Sequence, residues 1–140
     1  IVIICSGFGG ITGTGALPII AKLSKEMSIL TIAVVTTPFS YEGIAKEVNA
    51  LAGLNSLKEN IDVLIPISNN RILNNYPDIV VADMFKLINK LLKNTLNYFI
   101  NLFSDKQDFK VSWNEVIQCL KDKKESYIGF GSGIGKNKIR

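Results

Sequence analysis

The stretch IVIICSGFGGITGTGALP, residues 1–18, passes from a β-branched apolar run directly into a segment holding five glycines and two threonines. A short apolar run that stops at glycines and restarts as a helical pattern is a strand, a loop and a helix N-terminus in succession. Glycines let such a loop turn sharply and approach a ligand closely. The helix behind it offers free N–H groups and the positive end of its dipole. Thr12 and Thr14 add hydroxyl donors. The natural occupant is an anion, phosphate first. As a plain strand-to-helix turn, the segment holds more glycine than one turn requires.

Two familiar phosphate motifs fail in register. The dinucleotide pattern G-x-G-x-x-G starts at Gly7 and Gly9 but meets Thr12 where its third glycine belongs, which counts against an NAD-dependent enzyme. The P-loop needs a lysine and a hydroxyl after a glycine, and Gly15 is followed by Ala16 and Leu17. The loop is a phosphate cradle of another make.

Outward from the loop, IVIIC (1–5), LTIAVVT (30–36) and IDVLIPI (61–67) are continuous β-branched runs, the pattern of parallel strands covered on both faces. Helical segments alternate with them. The first is expected to open between Gly13 and Leu17 and run to Met27, the second to lie within 42–59, and Asn69 to cap a short third. This is the rhythm of an open α/β domain with right-handed crossovers. From Ile79 to Phe103, after Pro77, runs a long helical stretch of about 37 Å. Asp83, Lys86, Lys90, Lys93, Asn97 and Asn101 form one polar stripe on it, so most of it is expected to be buried as a spine. A polar loop at 104–111, an amphipathic helix around Trp113 to Lys123 and a strand entering the glycines of SYIGFGSGIGKNKIR complete the chain.

The composition bounds the chemistry. At 140 residues the chain is one domain or a piece of one, and 47% hydrophobic with 20% charged residues is globular rather than disordered. The net charge of +4 is almost all lysine, dispersed along the chain, and forms no nucleic-acid stripe; with abundant Ile and Asn it reads as codon bias. Cys5 and Cys119 fit no metal or redox spacing and are expected to be buried free thiols in a reducing cytosol. The absence of histidine removes serine- and cysteine-hydrolase triads, the usual zinc sites and the commonest general base. Catalysis would rest on carboxylates, lysine, backbone or a metal brought by substrate. No unbroken apolar run of about 20 residues is present, and no basic region precedes the apolar start. Because the chain opens at Ile1 inside a strand-like run, something upstream is expected to be missing.

In combination the motifs become specific. GFGGITGTGALP (7–18), LTIAVVTTPFSYEG (30–43) and IDVLIPISNNRIL (61–73) together resemble the tubulin/FtsZ family of GTPases, whose bacterial members organise cell division. The loop matches the family's G-G-G-T-G-T-G signature with Ile11 in place of the third glycine, and Thr-x-Pro-Phe-x-x-Glu-Gly matches at Thr36 to Gly43. The similarity runs on through Asp83-Met84-Phe85 to Gly131-Ser132-Gly133.

The resemblance implies an α/β fold with a three-layer parallel sheet of the tubulin/FtsZ nucleotide-binding type, incomplete at the N-terminus. It divides the chain into a partial GTP-binding domain (1–103), a hydrolysis-loop region with its helix (104–125) and the start of a second domain (126–140). The family's first strand and an earlier glycine-asparagine loop would precede Ile1, so the isolated chain is expected to expose apolar surface and to bind nucleotide weakly. The implied cofactors are GTP or GDP, with Mg²⁺ carried by the nucleotide and no metal cage in the protein.

Gly10, Ile11, Thr12, Gly13 and Thr14 fall on the phosphate-binding loop, where Ile11 lacks glycine's freedom at positive φ and narrows the cradle. Glu42 falls on the ribose-contacting glutamate, while Lys46 replaces an arginine and loses its bidentate fork. Asn69 falls on the guanine-contacting asparagine and Phe85 on the aromatic that stacks on the base. Asn89-Lys90 stands where the family usually has Asn-Asp, and Lys90 cannot accept from guanine N–H groups, which leaves Asn89 or a shifted helix to compensate.

The family's hydrolysis loop, Asn-x-Asp-x-x-Asp, enters the nucleotide site of the next subunit and supplies positioned carboxylates. Lys110, Ser112 and Glu115 occupy its positions, so one carboxylate of two survives. Either Asp105 or Asp108 has taken over the lost role, or hydrolysis has decayed and Glu115 is a helix N-terminal acid favoured by the dipole.

The expected function is that of a GTP-binding, filament-forming protein of the septal ring with weakened GTPase. The alternatives are a non-hydrolysing structural filament subunit and a degenerate fragment. Head-to-tail self-association and contact with other division proteins through further regions follow from the resemblance, without nucleic acid or membrane insertion and with a cytoplasmic place at the division site.

Overall fold

The computed structural model describes residues 1–102 and 112–129. β1 (Val2–Gly7), β2 (Thr31–Thr37), β3 (Val63–Ser68) and β4 (Lys124–Glu125) form one sheet in the order β1-β2-β3-β4, all neighbours parallel. α1 (Ile11–Glu26) links β1 to β2, and α2 (Ile44–Lys58) links β2 to β3. α3 (Asn69–Asn75), α4 (Val81–Leu102) and α5 (Trp113–Leu120) follow. The α/β class, the parallel sheet and its three layers are as expected.

Strand alternation divides the core between the two faces. Ala33, Val35 and Leu64 point with Leu17 and Ala21 of α1 and Ala50 and Leu57 of α2 into one core. Ile32, Val34, Val63 and Ile65 point the other way, onto Phe99, Leu92 and Leu96 of α4. A third cluster of Phe39, Ile72, Met84 and Ile88 joins the start of α4 to α3.

Several expectations are corrected. β2 is covered on both faces, but β1 is only half-buried, because among the described residues it pairs with β2 alone and its other edge is open. For that reason Cys5 is exposed rather than buried, although the apolar atoms around it push its thiol up; Cys119 is exposed on α5. Exposed apolar surface is present on the helices too, at Ile20 and Leu23 of α1, Met27 just past its end, and Ile44, Val48 and Leu51 of α2.

α4 is not a mostly buried spine. It buries Met84, Ile88, Thr95 and Phe99 along one face, while Lys86, Lys90 and Lys93 stand exposed on the other. α1 starts at Ile11, two residues before the earliest expected position, because Gly10 already holds the extended N-cap conformation at φ −84° and ψ 171°. α3 is capped by Ser68, whose hydroxyl accepts from the Arg71 N–H at 3.3 Å, and Asn69 is its first helical residue. α5 ends at Leu120, short of Lys123, because Lys121 is extended and Asp122 left-handed. The last strand is Lys124–Glu125, upstream of the glycines, and Ser126 to Gly129 follow it without regular structure. The loop at 104–111, with Asp105, Asp108 and Lys110, and Gly131-Ser132-Gly133 lie outside the described residues.

Two substitutions test this packing with opposite signs. Leu57 is fully buried, so Leu57→Ala should lower unfolding free energy by about 2–5 kcal/mol in a urea titration. Thr95 Oγ1 is buried without a partner among the described residues, so Thr95→Val, of the same shape, should raise it by about 1 kcal/mol. A destabilised Thr95→Val would mean that the hydroxyl is bonded.

Candidate functional site

The glycine loop leaves the carboxyl end of β1 and enters α1 within three residues, Phe8 to Gly10. Two of the glycines there answer separate demands. Gly9 sits at φ +108°, where a side chain is strained and would also press on the Lys46 carbonyl at 3.2 Å. Gly13 seats the first turn of α1 on the end of β1, and a Cβ there would collide with Ser6 Oγ and lie 2.6 Å from the Gly7 carbonyl. Gly10 and Gly15 face open space. The Gly9 N–H donates to Thr14 Oγ1 at 2.9 Å, folding the loop back onto the helix.

The N-terminus of α1 has no side-chain cap and no acidic residue in its first turn. Its free N–H groups and its positive end are therefore left for an anion. Ile11 is 92% exposed and has ordinary helical φ, so it needs none of glycine's freedom. The position that does need it is Gly9. Ile11 lies at the mouth of a shallow cleft of about 450 Å³ between α1 and α2, lined also by Gly10, Thr14 and Gly53.

The carboxyl ends of β2 and β3 complete the surroundings. Pro38 and Lys46 lie against Gly9. In the 3₁₀ turn Ser40–Glu42, Glu42 Oε1 accepts from the Phe39 N–H at 2.9 Å and Oε2 from Lys46 Nζ at 2.8 Å. The Lys46 hydrogen bond holds the Glu42 carboxyl below the ordinary glutamate value; partial burial opposes this and the Phe39 N–H adds to it. The Ser40 N–H donates to Asn70 Oδ1 at 2.9 Å, tying this turn to the start of α3. Phe39 stacks on Tyr41 at 4.9 Å and meets Phe85 edge-on at 5.7 Å.

Gly10 to Thr14, Glu42, Lys46, Asn69 and Phe85 thus gather at one end of the sheet, outside the carboxyl ends of the strands, where open α/β sheets bind ligands. Asn69 is only 6% exposed, and its Oδ1 has no hydrogen-bond partner among the described residues. A buried acceptor in that state is open to a donor from water or from a ligand. Phe85 keeps 46% of its surface exposed, a ring available for stacking. Asn89, one turn on, shares the face of Phe85, whereas Lys90 is turned about 140° from it around the helix.

Glu115 is not part of this gathering. α4 starts beside Phe39 and ends beside Val63 at the opposite end of β3, where Glu115 and Val116 line another cleft with Leu102. A helix of 22 residues spans about 33 Å, so Glu115 and the glycine loop stand at opposite ends of the molecule. Asn70, which holds the Ser40 N–H, and Ser68, which caps α3, were missed by the motif comparison; the Ser-Asn-Asn run at the end of β3 is their only signal in sequence.

Comparison with known proteins decides the family. Residues 1–77 match the tubulin/FtsZ family, GTPase domain. The chain belongs to the tubulin/FtsZ family. It is 40% identical over 137 residues to the cell division protein FtsZ of Mycoplasmopsis pulmonis, covering 98% of this chain and 35% of that protein. An FtsZ structure from M. jannaschii superposes with a TM-score of 0.91 at 32% identity, over 97% of this chain and 41% of that one. An empty FtsZ dimer from the same organism gives 0.82 at 32% identity, over 88% and 36%. The chain therefore spans 35–41% of the length of these relatives.

For this tubulin/FtsZ chain the loop geometry makes a sharp distinction among glycines. Gly13→Ala should destabilise by about 1–3 kcal/mol through overpacking against Gly7, while Gly15→Ala, in open space inside a helix, should stabilise by about 0.5–1 kcal/mol in thermal or urea unfolding. Equal effects would contradict the seating of α1. Because the folded Glu42 carboxyl is held low, the contribution of its ion pair is complete above the unfolded glutamate range and lost as pH falls through the folded value. Glu42→Gln should remove that part of the acid dependence of stability, a change within about 1 kcal/mol for so exposed a pair.

Proposed function

We propose that this chain forms the phosphate- and base-binding side of a GTP-binding cell-division protein that assembles head to tail. The observation that carries the reading is the pairing of an uncapped, acid-free helix N-terminus with the orphaned Asn69 Oδ1 at the same end of the sheet. One group suits phosphate and the other a base that donates N–H. A guanine nucleotide fits both.

In this reading the N–H groups from Gly10 to Thr14 hold the phosphates, and Glu42 with Lys46 flanks the ribose. Asn69 accepts from the base, Phe85 stacks on it, and Asn89 rather than Lys90 reaches its edge. In this reading Mg²⁺ comes with the nucleotide, the usual mode for a cation that keeps most of its waters and bridges phosphates. Bound Mg²⁺ supplies charge neutralisation at the phosphates.

The far position of Glu115 bears on partners. A single copy cannot bring it to its own glycine loop, so any part it plays in hydrolysis is on the nucleotide of a second copy. That requires a heterologous, repeating contact, which yields filaments. The empty FtsZ dimer among the structural neighbours agrees with self-association. Among the described residues no helix is long and apolar enough to cross a membrane.

Binding of a fluorescent GTP analogue to the full-length gene product tests the base site. Phe85→Ala and Asn89→Ala should each weaken it about tenfold, as expected for one stacking contact or one base hydrogen bond, and Lys90→Ala should leave it within about twofold. A large loss in Lys90→Ala with none in Asn89→Ala would reverse the assignment. Phosphate release under assembling conditions separates the two fates of the hydrolysis loop. Turnover that disappears in Glu115→Ala makes this carboxylate catalytic between copies. Filaments without turnover make the protein a structural polymer.

A further inference from the structure

The connection from α5 to β4 meets the sheet at a single residue. Asp62, just before β3, makes four hydrogen bonds there. Its N–H donates to the Thr31 carbonyl at 3.2 Å, and its carbonyl accepts from the Lys124 N–H at 2.7 Å. Its carboxylate accepts from the Thr31 N–H at 2.9 Å through Oδ2 and from the Asp122 N–H at 3.4 Å through Oδ1. One side chain therefore ties the start of β2 to Asp122, two residues past the end of α5.

The tie is made where the backbone leaves the right-handed region. Asp122 and Lys124 hold φ at 57° and 60°, in the left-handed region, and neither is glycine. Such residues persist only where their surroundings over-determine them. β4 is two residues long, too short a ladder to hold itself. Beyond Asp62, the segment is tied to β3 by the Ser126 N–H donating to the Leu64 carbonyl at 2.8 Å, downstream of the left-handed residues, and to α2 by Lys58 Nζ to Glu125 Oε2 at 2.7 Å, an exposed pair of the kind that contributes little. Val116 and Leu120 press α5 towards the sheet, but apolar burial holds a helix down without setting its direction.

We infer that Asp62 is a positioning residue whose carboxylate holds the α5–β4 connection on its left-handed path and so sets the direction in which α5, with Glu115 on it, lies against the sheet. Without that carboxylate, Asp122 and Lys124 relax to right-handed backbone, and the segment swings as a unit while the sheet stays intact. The consequence for turnover rests on the hydrolysis reading above. The positional claim does not.

Hydrogen exchange on the full-length gene product, followed in peptides spanning 121–126 and in peptides spanning β2 and β3, tests it. In Asp62→Ala the 121–126 amides should exchange roughly tenfold faster or more while those of Ala33 to Val35 and Leu64 to Ile65 keep their rates, the signature of local opening. Asp62→Asn, the milder variant, keeps one acceptor and should give a smaller rise in the same amides. Glu125→Gln should change them by less than about threefold, since it breaks only an exposed pair. Unchanged exchange at 121–126 in both Asp62 variants, or equal acceleration of the sheet, would overturn the inference. If the wild type hydrolyses GTP, Asp62→Asn should lower kcat at unchanged KM, and loss of KM instead would also count against it. A wild type with no turnover contradicts the hydrolysis reading alone, and the exchange rates still decide the role of Asp62.

Discussion

The missing side chain of Gly13 is the constraint on which the site depends. Without a Cβ there, α1 begins against the last residues of β1, and the free N–H groups of its first turn open at the carboxyl edge of the sheet. Gly9 makes the approach possible by turning at positive φ, and the Gly9 N–H to Thr14 hydroxyl bond locks the turn to the helix. With α1 seated there, α2 packs beside it through the close approach of Gly53 to Phe8 and Thr14, which brings Lys46 against the loop. Residues more than 30 positions apart in sequence meet because two small-residue contacts set the helices close.

The same architecture separates the two halves of the chemistry. α4 starts at the aromatic cluster and finishes beside β3's amino end, so it carries Phe85 and Asn89 at one pole and leads towards Glu115 at the other. Its amphipathic pattern needs only one buried face for this, and its lysine face points away from the sheet. On the proposed reading, a nucleotide site at one pole and the Glu115 carboxylate at the opposite pole is a geometry that becomes useful when copies stack. The bond network around Asp62 governs how that second pole is presented.

Much of this was readable from sequence, for physical reasons that differ between elements. β2 could be placed because a continuous β-branched run has few alternatives, and the glycine loop because its register to the Pro-Phe turn and to Asn69 matches a known family over the length of the motif. The burial of α4 was overestimated because an apolar stripe with three lysines opposite looks the same whether one face or two are covered. Cys5 was expected inside because a strand's periodicity says nothing about whether its outer edge has a neighbour. Ile11 drew suspicion as a substituted glycine, yet the backbone there is helical and the demand for positive φ falls two residues earlier. Asn89 and Lys90 are adjacent in sequence and only the helix tells them apart. The junction at Asp62 has no sequence signal, since it is built from backbone groups of three separate segments.

The central claim is that the first turn of α1 holds the nucleotide's phosphates. The most direct test is the amide NMR of the full-length gene product, observing the N–H signals of Gly10, Ile11 and Thr12 during titration with GDP and, separately, with guanosine. The account predicts that GDP shifts all three towards saturation, whereas guanosine, without phosphate, leaves them in place while still perturbing residues around Phe85. GDP binding that leaves the Gly10, Ile11 and Thr12 amides unmoved would contradict it.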